Sequence, residues 1–187
     1  MKDRIWTISN FLSFSRILLM GPVIVFFLGG SPHHREIAVL FVLLAVVTDT
    51  LDGYLARLLH QESEIGRIID PLADKIGVGI VVVLLLLFGD IPLWFALLVL
   101  TRDIAIFCGG VYIKRRKGLV LPSNMAGKIA VSLVALTLTL AMLRYQMFAL
   151  VEEFSLAASA VLLIVSFAVY VRRFLTVLSE GSGGGRV

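Results

Sequence analysis

The chain has 187 residues, of which 59% are hydrophobic and only 16% charged, and its net charge is +4. Soluble domains carry about 25% charged residues, so this composition, with a mean hydropathy of +0.98, excludes an ordinary soluble enzyme and leaves no room for a large soluble domain. The basic residues flank apolar runs without an aromatic stacking platform, which argues against nucleic acid as a partner and for membrane topology and anionic headgroups as their role.

The apolar runs predict an all-α integral membrane protein of six transmembrane helices, at 8–29, 36–59, 67–88, 91–114, 124–144 and 153–174. Each is close to the roughly 20 residues that a span requires. Lys2 and Arg4 have the look of a signal-peptide start. The run that follows is interrupted by Asn10, Ser13, Ser15 and Arg16 and has no small-x-small cleavage site, so it is read as a retained first span. Gly29, Gly30, Ser31 and Pro32 separate the first span from the second. The short polar connection at 60–64 makes the second and third spans antiparallel neighbours. Gly89, Asp90, Ile91 and Pro92 form a tight turn, 114–118 a basic loop, and 144–153 the link between the fifth and sixth spans. Cys108, inside an apolar run, reads as a small packing residue. His33, His34 and His60 read as loop residues without a ligand role. Residues 1–178 form one transmembrane domain, and 179–187 a Gly/Ser-rich tail expected to be disordered.

Orientation follows from the distribution of Lys and Arg. Lys2, Arg4, Arg57, Arg67, the 114–117 cluster, Arg172 and Arg173 fall on one side, against Arg35 and Arg144 on the other. Both termini are therefore expected in the cytosol of a bacterial or archaeal cell, with the protein multi-pass in the plasma membrane.

Four aspartates stand out in this apolar setting, in the frame Asp49-x2-Asp52-Gly53-x2-Ala56-Arg57-x8-Gly66-x3-Asp70-x3-Asp74. A carboxylate at the centre of a bilayer helix costs about 2.5–3.5 kcal/mol on insertion scales, so four would cost roughly 10–14 kcal/mol if simply added. On a helix, Asp49, Asp52, Gly53 and Ala56 share one face, and Gly66, Asp70, Asp74 and Gly77 share another. The topology puts both stripes at the cytosolic ends of spans two and three, where they can face each other. All-oxygen donors select hard cations such as Mg²⁺ or Mn²⁺. Four carboxylates suit two ions, or one ion and a free base. Gly53, Ala56 and Gly66 leave space for a flat or phosphorylated ligand, although small residues also serve helix packing. Arg57 suits bidentate phosphate binding, although an interfacial arginine can simply snorkel.

This frame resembles the signature of the CDP-alcohol phosphatidyltransferases, with all eight fixed residues present over 26 positions. The resemblance extends to the six spans and to Asn10-x2-Ser13-x2-Arg16, which is similar to an Asn-x2-Thr-x2-Arg pattern of the phosphatidylglycerophosphate synthase branch. It implies transfer of a phosphatidyl group from CDP-diacylglycerol to an alcohol, with release of CMP and an active site facing the cytosol. Asp49, Asp52 and Asp70 would ligate the metal, with Asp74 as general base and a possible further ligand. Asp52, Gly53, Ala56, Arg57, Gly66 and Asp70 would line the CDP pocket. A homodimer is the common state in the family.

Arg102, Asp103 and Lys128 are further ionisable residues within apolar runs. Arg102 and Lys128 are candidates for binding an anionic acceptor such as glycerol 3-phosphate. The structural alternative is that Arg102 and Asp103 pair with neighbours in the bundle. The fifth span reads Gly127-Lys128-Ile129-Ala130-Val131, without the second Lys and the Thr of Gly-Lys-x-Lys-Thr in phosphatidylglycerophosphate synthases. Ile91-Pro92-Leu93-Trp94 with Thr101-Arg102-Asp103 resembles cardiolipin synthases, whose acceptor is phosphatidylglycerol. A relative that accepts inositol phosphate or serine is a further alternative. A cation transporter is the reading from another class, and the clustering of acids at one membrane face with no inverted repeat speaks against it.

Overall fold

A computed structural model describes the backbone of residues 8–30, 33–59, 66–119 and 125–179, and the side chains of these residues except 8–14, 49–59 and 66–71. Six α-helices follow in order: α1 (Ile8–Leu28), α2 (His34–Leu59), α3 (Gly66–Leu87), α4 (Leu93–Lys117), α5 (Met125–Leu143) and α6 (Ala149–Ser179), with a short 3₁₀ turn, Gln146–Phe148, ahead of α6. The described residues are helical or in turns, with no strand. By length and hydropathy, Leu93–Lys117, Met125–Leu143 and Gln146–Ser179 can each cross a membrane, and Ser15–Leu28 is a shorter apolar helix. Their outward positions include Leu97, Ile104, Leu136, Val161 and Ile164, as expected where lipid replaces water as the solvent. The chain divides into two compact units, Met1–Asp90 and Ile91–Val187.

In the first unit α1 is the shared partner of α2 and α3. Phe26 stacks on Phe41 with ring centroids 5.6 Å apart, so the end of α1 meets the early part of α2 and the two run antiparallel. Against α3 the register rises on both helices. Arg16 is ion-paired with Asp74, Met20 lies against Gly77, and Phe27 meets Phe88 edge-on at 5.2 Å. α1 and α3 are therefore parallel, which makes α2 and α3 antiparallel as the sequence predicts. At the far end, Arg35 pairs with Asp90 at 2.9 Å, the carboxylate side chain being only 1% exposed. The Arg35 guanidinium also sits 4.9 Å from the Phe27 ring centroid and 6.0 Å from that of Phe88. This cluster ties the end of α1, the start of α2 and the turn after α3. Gly89 gives that turn its left-handed residue, with φ of 71°.

In the second unit α6 is the shared partner, packed on α4 and α5. Ser166 meets Arg102, the Tyr170 hydroxyl donates to the Ile106 carbonyl at 3.0 Å, Phe174 meets Tyr112, and the Lys117 ammonium donates to the carbonyls of Val177 and Leu178. α4 and α6 thus run parallel over some four turns. Gly109 makes room for this contact, because a Cβ there would stand 2.6 Å from the Tyr170 hydroxyl and the tyrosine would have to shift. α5 returns antiparallel to α6, and Thr137 donates to Ser155 at 3.1 Å.

Three expectations about connections are corrected. Residues 114–117 are the last turn of α4 instead of a loop. Four cations complement the negative end of the helix dipole there, and the helix stops only at Gly118, with φ of 65° and its N–H bonded to the Lys114 carbonyl. α6 begins at Ala149 and runs to Ser179, beyond the expected 153–174, because Glu152 in its first turn suits the positive helix end and Arg172 and Arg173 do not break a helix. Ser179 is therefore helical. His34 opens α2 instead of lying in a loop. The 60–64 connection, His60 and the tail beyond Ser179 lie outside the described residues.

The Arg35–Asp90 pair yields a test of the packing. Removing one partner of a buried pair costs about 3–5 kcal/mol, whereas removing both charges is far cheaper. Arg35→Met should lower the unfolding free energy of the detergent-solubilised protein by about 3 kcal/mol. Arg35→Met/Asp90→Asn should recover most of that loss. A double variant no more stable than the single one would show that the pair is not what holds this end of the unit.

Candidate active site

The frame lies on the last part of α2 and the first part of α3, two helices that run antiparallel and both pack on α1. Asp49, Asp52, Gly53, Ala56 and Arg57 lie on α2, which ends at Leu59, and Asp70 and Asp74 lie on α3, which begins at Gly66. With a rise of 1.5 Å per residue, Asp49 and Asp52 stand about 15 and 10 Å from the end of α2, and Asp70 and Asp74 about 6 and 12 Å from the start of α3. Along the helix axes, all four therefore lie within about 15 Å of the end of α2 or the start of α3. The side chains of Asp49, Asp52, Gly53, Ala56, Arg57, Gly66 and Asp70 lie outside the described residues, and so does the facing of the two stripes. Upstream of Asp49, the Thr48 hydroxyl is bonded within its own helix to the Ala45 carbonyl at 2.8 Å.

Asp74 is the frame carboxylate whose surroundings are described. Its side chain is half exposed, while that of Arg16, its ion-pair partner on α1, is 7% exposed. Beside it, Ala73 is buried. Arg16 was visible in the sequence as the third member of Asn10-x2-Ser13-x2-Arg16 and as an arginine inside an apolar helix, but its place beside Asp74 was not anticipated. Among the described residues no three His, Cys, Asp or Glu side chains converge as metal ligands, and three of the four frame carboxylates are not among them. As a donor set, four carboxylates with only oxygen to offer suit a hard divalent cation.

Arg102 and Lys128 fall in the second unit, which does not bring them together. Arg102 is about 14 Å along α4 from Leu93 and about 22 Å from Lys117. It donates from Nη1 to Asp103 at 2.7 Å and from Nη2 to Ser166 at 3.2 Å, and its buried Nε makes no hydrogen bond. Ser166 in turn donates to the Leu163 carbonyl. Lys128 is exposed in the first turn of α5. Alternation of the helices puts it at the same end as residues 114–117, Arg172 and Arg173, which gives this unit one strongly basic end.

Comparison with known proteins agrees with the frame. The family model for CDP-alcohol phosphatidyltransferase matches residues 6–177. A Mycobacterium tuberculosis protein named "Probable phosphatidylglycerophosphate synthase" is 31% identical over 178 residues, covering 93% of this chain and 84% of its own. An Aquifex aeolicus protein named CDP-diacylglycerol–glycerol-3-phosphate 3-phosphatidyltransferase is 36% identical over 134 residues, covering 70% of this chain and 72% of its own. A Mycobacterium bovis relative with a provisional cardiolipin synthase name is 35% identical over 130 residues, covering 69% of this chain and 61% of its own. With the eight signature residues in place and the family model matched over nearly its whole length, the chain belongs to the CDP-alcohol phosphatidyltransferase family.

Proposed function

We propose that the protein transfers the phosphatidyl group of CDP-diacylglycerol to glycerol 3-phosphate, with the cytosolic end of α2 and α3 as its active site. The observation that carries this reading is the complete aspartate frame on the end of α2 and the start of α3, in a chain matched by the family model over residues 6–177. Names borne by relatives that cover most of this chain support glycerol 3-phosphate as acceptor. Asp49, Asp52 and Asp70, with Asp74 as a further ligand, would hold one or two Mg²⁺ or Mn²⁺ ions, which would supply charge neutralisation for the diphosphate.

The chain's own residues do the rest. Asp52, Gly53, Ala56, Arg57, Gly66 and Asp70 line the CDP pocket, the small residues admitting the nucleotide and Arg57 taking a phosphate through its planar fork. Asp74 accepts the proton of the acceptor hydroxyl as that oxygen attacks the phosphorus bearing the diacylglycerol. The new P–O bond forms as the bond to CMP breaks, and the proton remains on Asp74. This direct displacement requires no covalent enzyme intermediate. Lys128 and the basic end of the second unit attract the anionic acceptor. Arg102 already donates to Asp103 and Ser166, and its Nε–H is a further donor for an anionic acceptor. The whole is a six-span protein of the plasma membrane, with both termini in the cytosol, and it works as a homodimer.

Phosphatidylglycerol is the second acceptor to consider, because of the provisionally named relative. Purified protein with CDP-diacylglycerol and Mg²⁺ should release CMP most rapidly with glycerol 3-phosphate in a panel that also holds phosphatidylglycerol, inositol 1-phosphate and serine. Chelation with EDTA should stop the release, and Mg²⁺ or Mn²⁺ should restore it. Highest turnover with phosphatidylglycerol would move the assignment to cardiolipin synthesis, and no CMP with any acceptor would exclude the reaction. Asp74→Asn should lower turnover by at least about 10²-fold, the lower range for loss of a positioned acid–base group. CDP-diacylglycerol binding should change little, and loss of that binding would make Asp74 chiefly a metal ligand.

A further inference from the structure

Arg16 lies inside α1, eight residues after Ile8 and twelve before Leu28, or about 12 and 18 Å from the two helix ends. A guanidinium at that depth in an apolar helix is costly unless it is matched. It is 6% exposed, and it is matched by Asp74 on the parallel helix α3. The two partners differ in burial: the cation is enclosed, whereas the carboxylate side chain is half exposed. One turn further on, Met20 lies against Gly77 with its sulfur 3.7 Å from where a Cβ would stand, which holds the two helices at short range just beyond the pair. The arginine is thus the fixed member and the carboxylate the member that still meets its surroundings.

We propose that Arg16 is a positioning residue for the reaction: it anchors the Asp74 carboxylate from α1 and so sets the direction from which that group meets the acceptor hydroxyl. The proposal rests on Asp74 acting as the base, as described above. A free aspartate on a helix turns about two bonds. A guanidinium held in a packed interior presents donors in a rigid plane and removes that freedom. Proton transfer depends on such alignment, and a misplacement of about 1 Å can cost about 10²-fold in rate. Arg16 does not contact substrate in this scheme. Its removal therefore lowers turnover without weakening the nucleotide-lipid complex.

The test compares wild type, Arg16→Met, Arg16→Lys and Arg16→Lys/Asp74→Glu as purified full-length proteins, each checked for a folded profile on size-exclusion chromatography. CMP release gives kcat and KM, and direct titration gives CDP-diacylglycerol binding. Arg16→Met should lose about 10²-fold in kcat with KM for the nucleotide lipid nearly unchanged, the signature of an interaction that matters only in the transition state. Arg16→Lys should fall between, since it keeps the charge and loses the fork, and lengthening the partner in the Lys/Glu pair should recover part of the loss. Unchanged kcat in Arg16→Met overturns the proposal. Equal loss of kcat and of CDP-diacylglycerol binding overturns it too, by making Arg16 a substrate contact. Failure of every Arg16 variant to fold overturns it by making the pair a strut of the fold. Absence of CMP release from the wild type overturns the proposal together with the reading it rests on.

Discussion

A charge in an apolar helix must find its partner on the protein, and this constraint organises both units. Arg16 meets Asp74 across α1 and α3, Arg35 meets Asp90 where three chain segments converge, and Arg102 meets Asp103 and Ser166 between α4 and α6. A buried ionised group left without its partner costs about 3–5 kcal/mol. Each match therefore also fixes a helix register. The apolar contacts follow those registers: Met20 against Gly77, Phe27 against Phe88 and Tyr170 into the notch at Gly109.

The two units use the constraint differently. In the first, α1 is the common partner, and its charge contact reaches the frame at Asp74 while the Arg35 cluster closes the opposite end. The frame is thereby held from a helix that contributes none of its aspartates. In the second, α6 is the common partner, and Lys117 donates to its terminal carbonyls. Residues 114–117, Lys128, Arg172 and Arg173 gather at one end of that unit.

Much of this was legible in the sequence, for identifiable reasons. Hydropathy located every helix to within a few residues because each apolar run is bounded by polar or glycine-rich segments. The family was legible because the frame carries all eight fixed residues of its signature, and the family model matches residues 6–177. The ends of α4 and α6 were misjudged because a limit of hydropathy is not a limit of helicity: 114–117 and Arg172 are charged and still helical, and the α4 stop is the left-handed Gly118. The pairing of Arg102 with its neighbour Asp103 was foreseen as the structural alternative, but Ser166 was not. The pairing of Arg16 with Asp74 was the largest omission. Its partner lies 58 positions away on another helix, and no local spacing encodes such a contact.

The central claim is that the frame carboxylates form a divalent-cation site that receives a CDP-lipid. It is tested most directly by Mn²⁺ titration of the purified protein, followed by electron paramagnetic resonance with and without CDP-diacylglycerol. The account predicts one or two bound Mn²⁺ ions whose spectrum changes when the nucleotide lipid is added, and loss of that binding in Asp49→Asn/Asp70→Asn. Mn²⁺ binding that is absent from the wild type, or is unaffected by the double substitution, would contradict it.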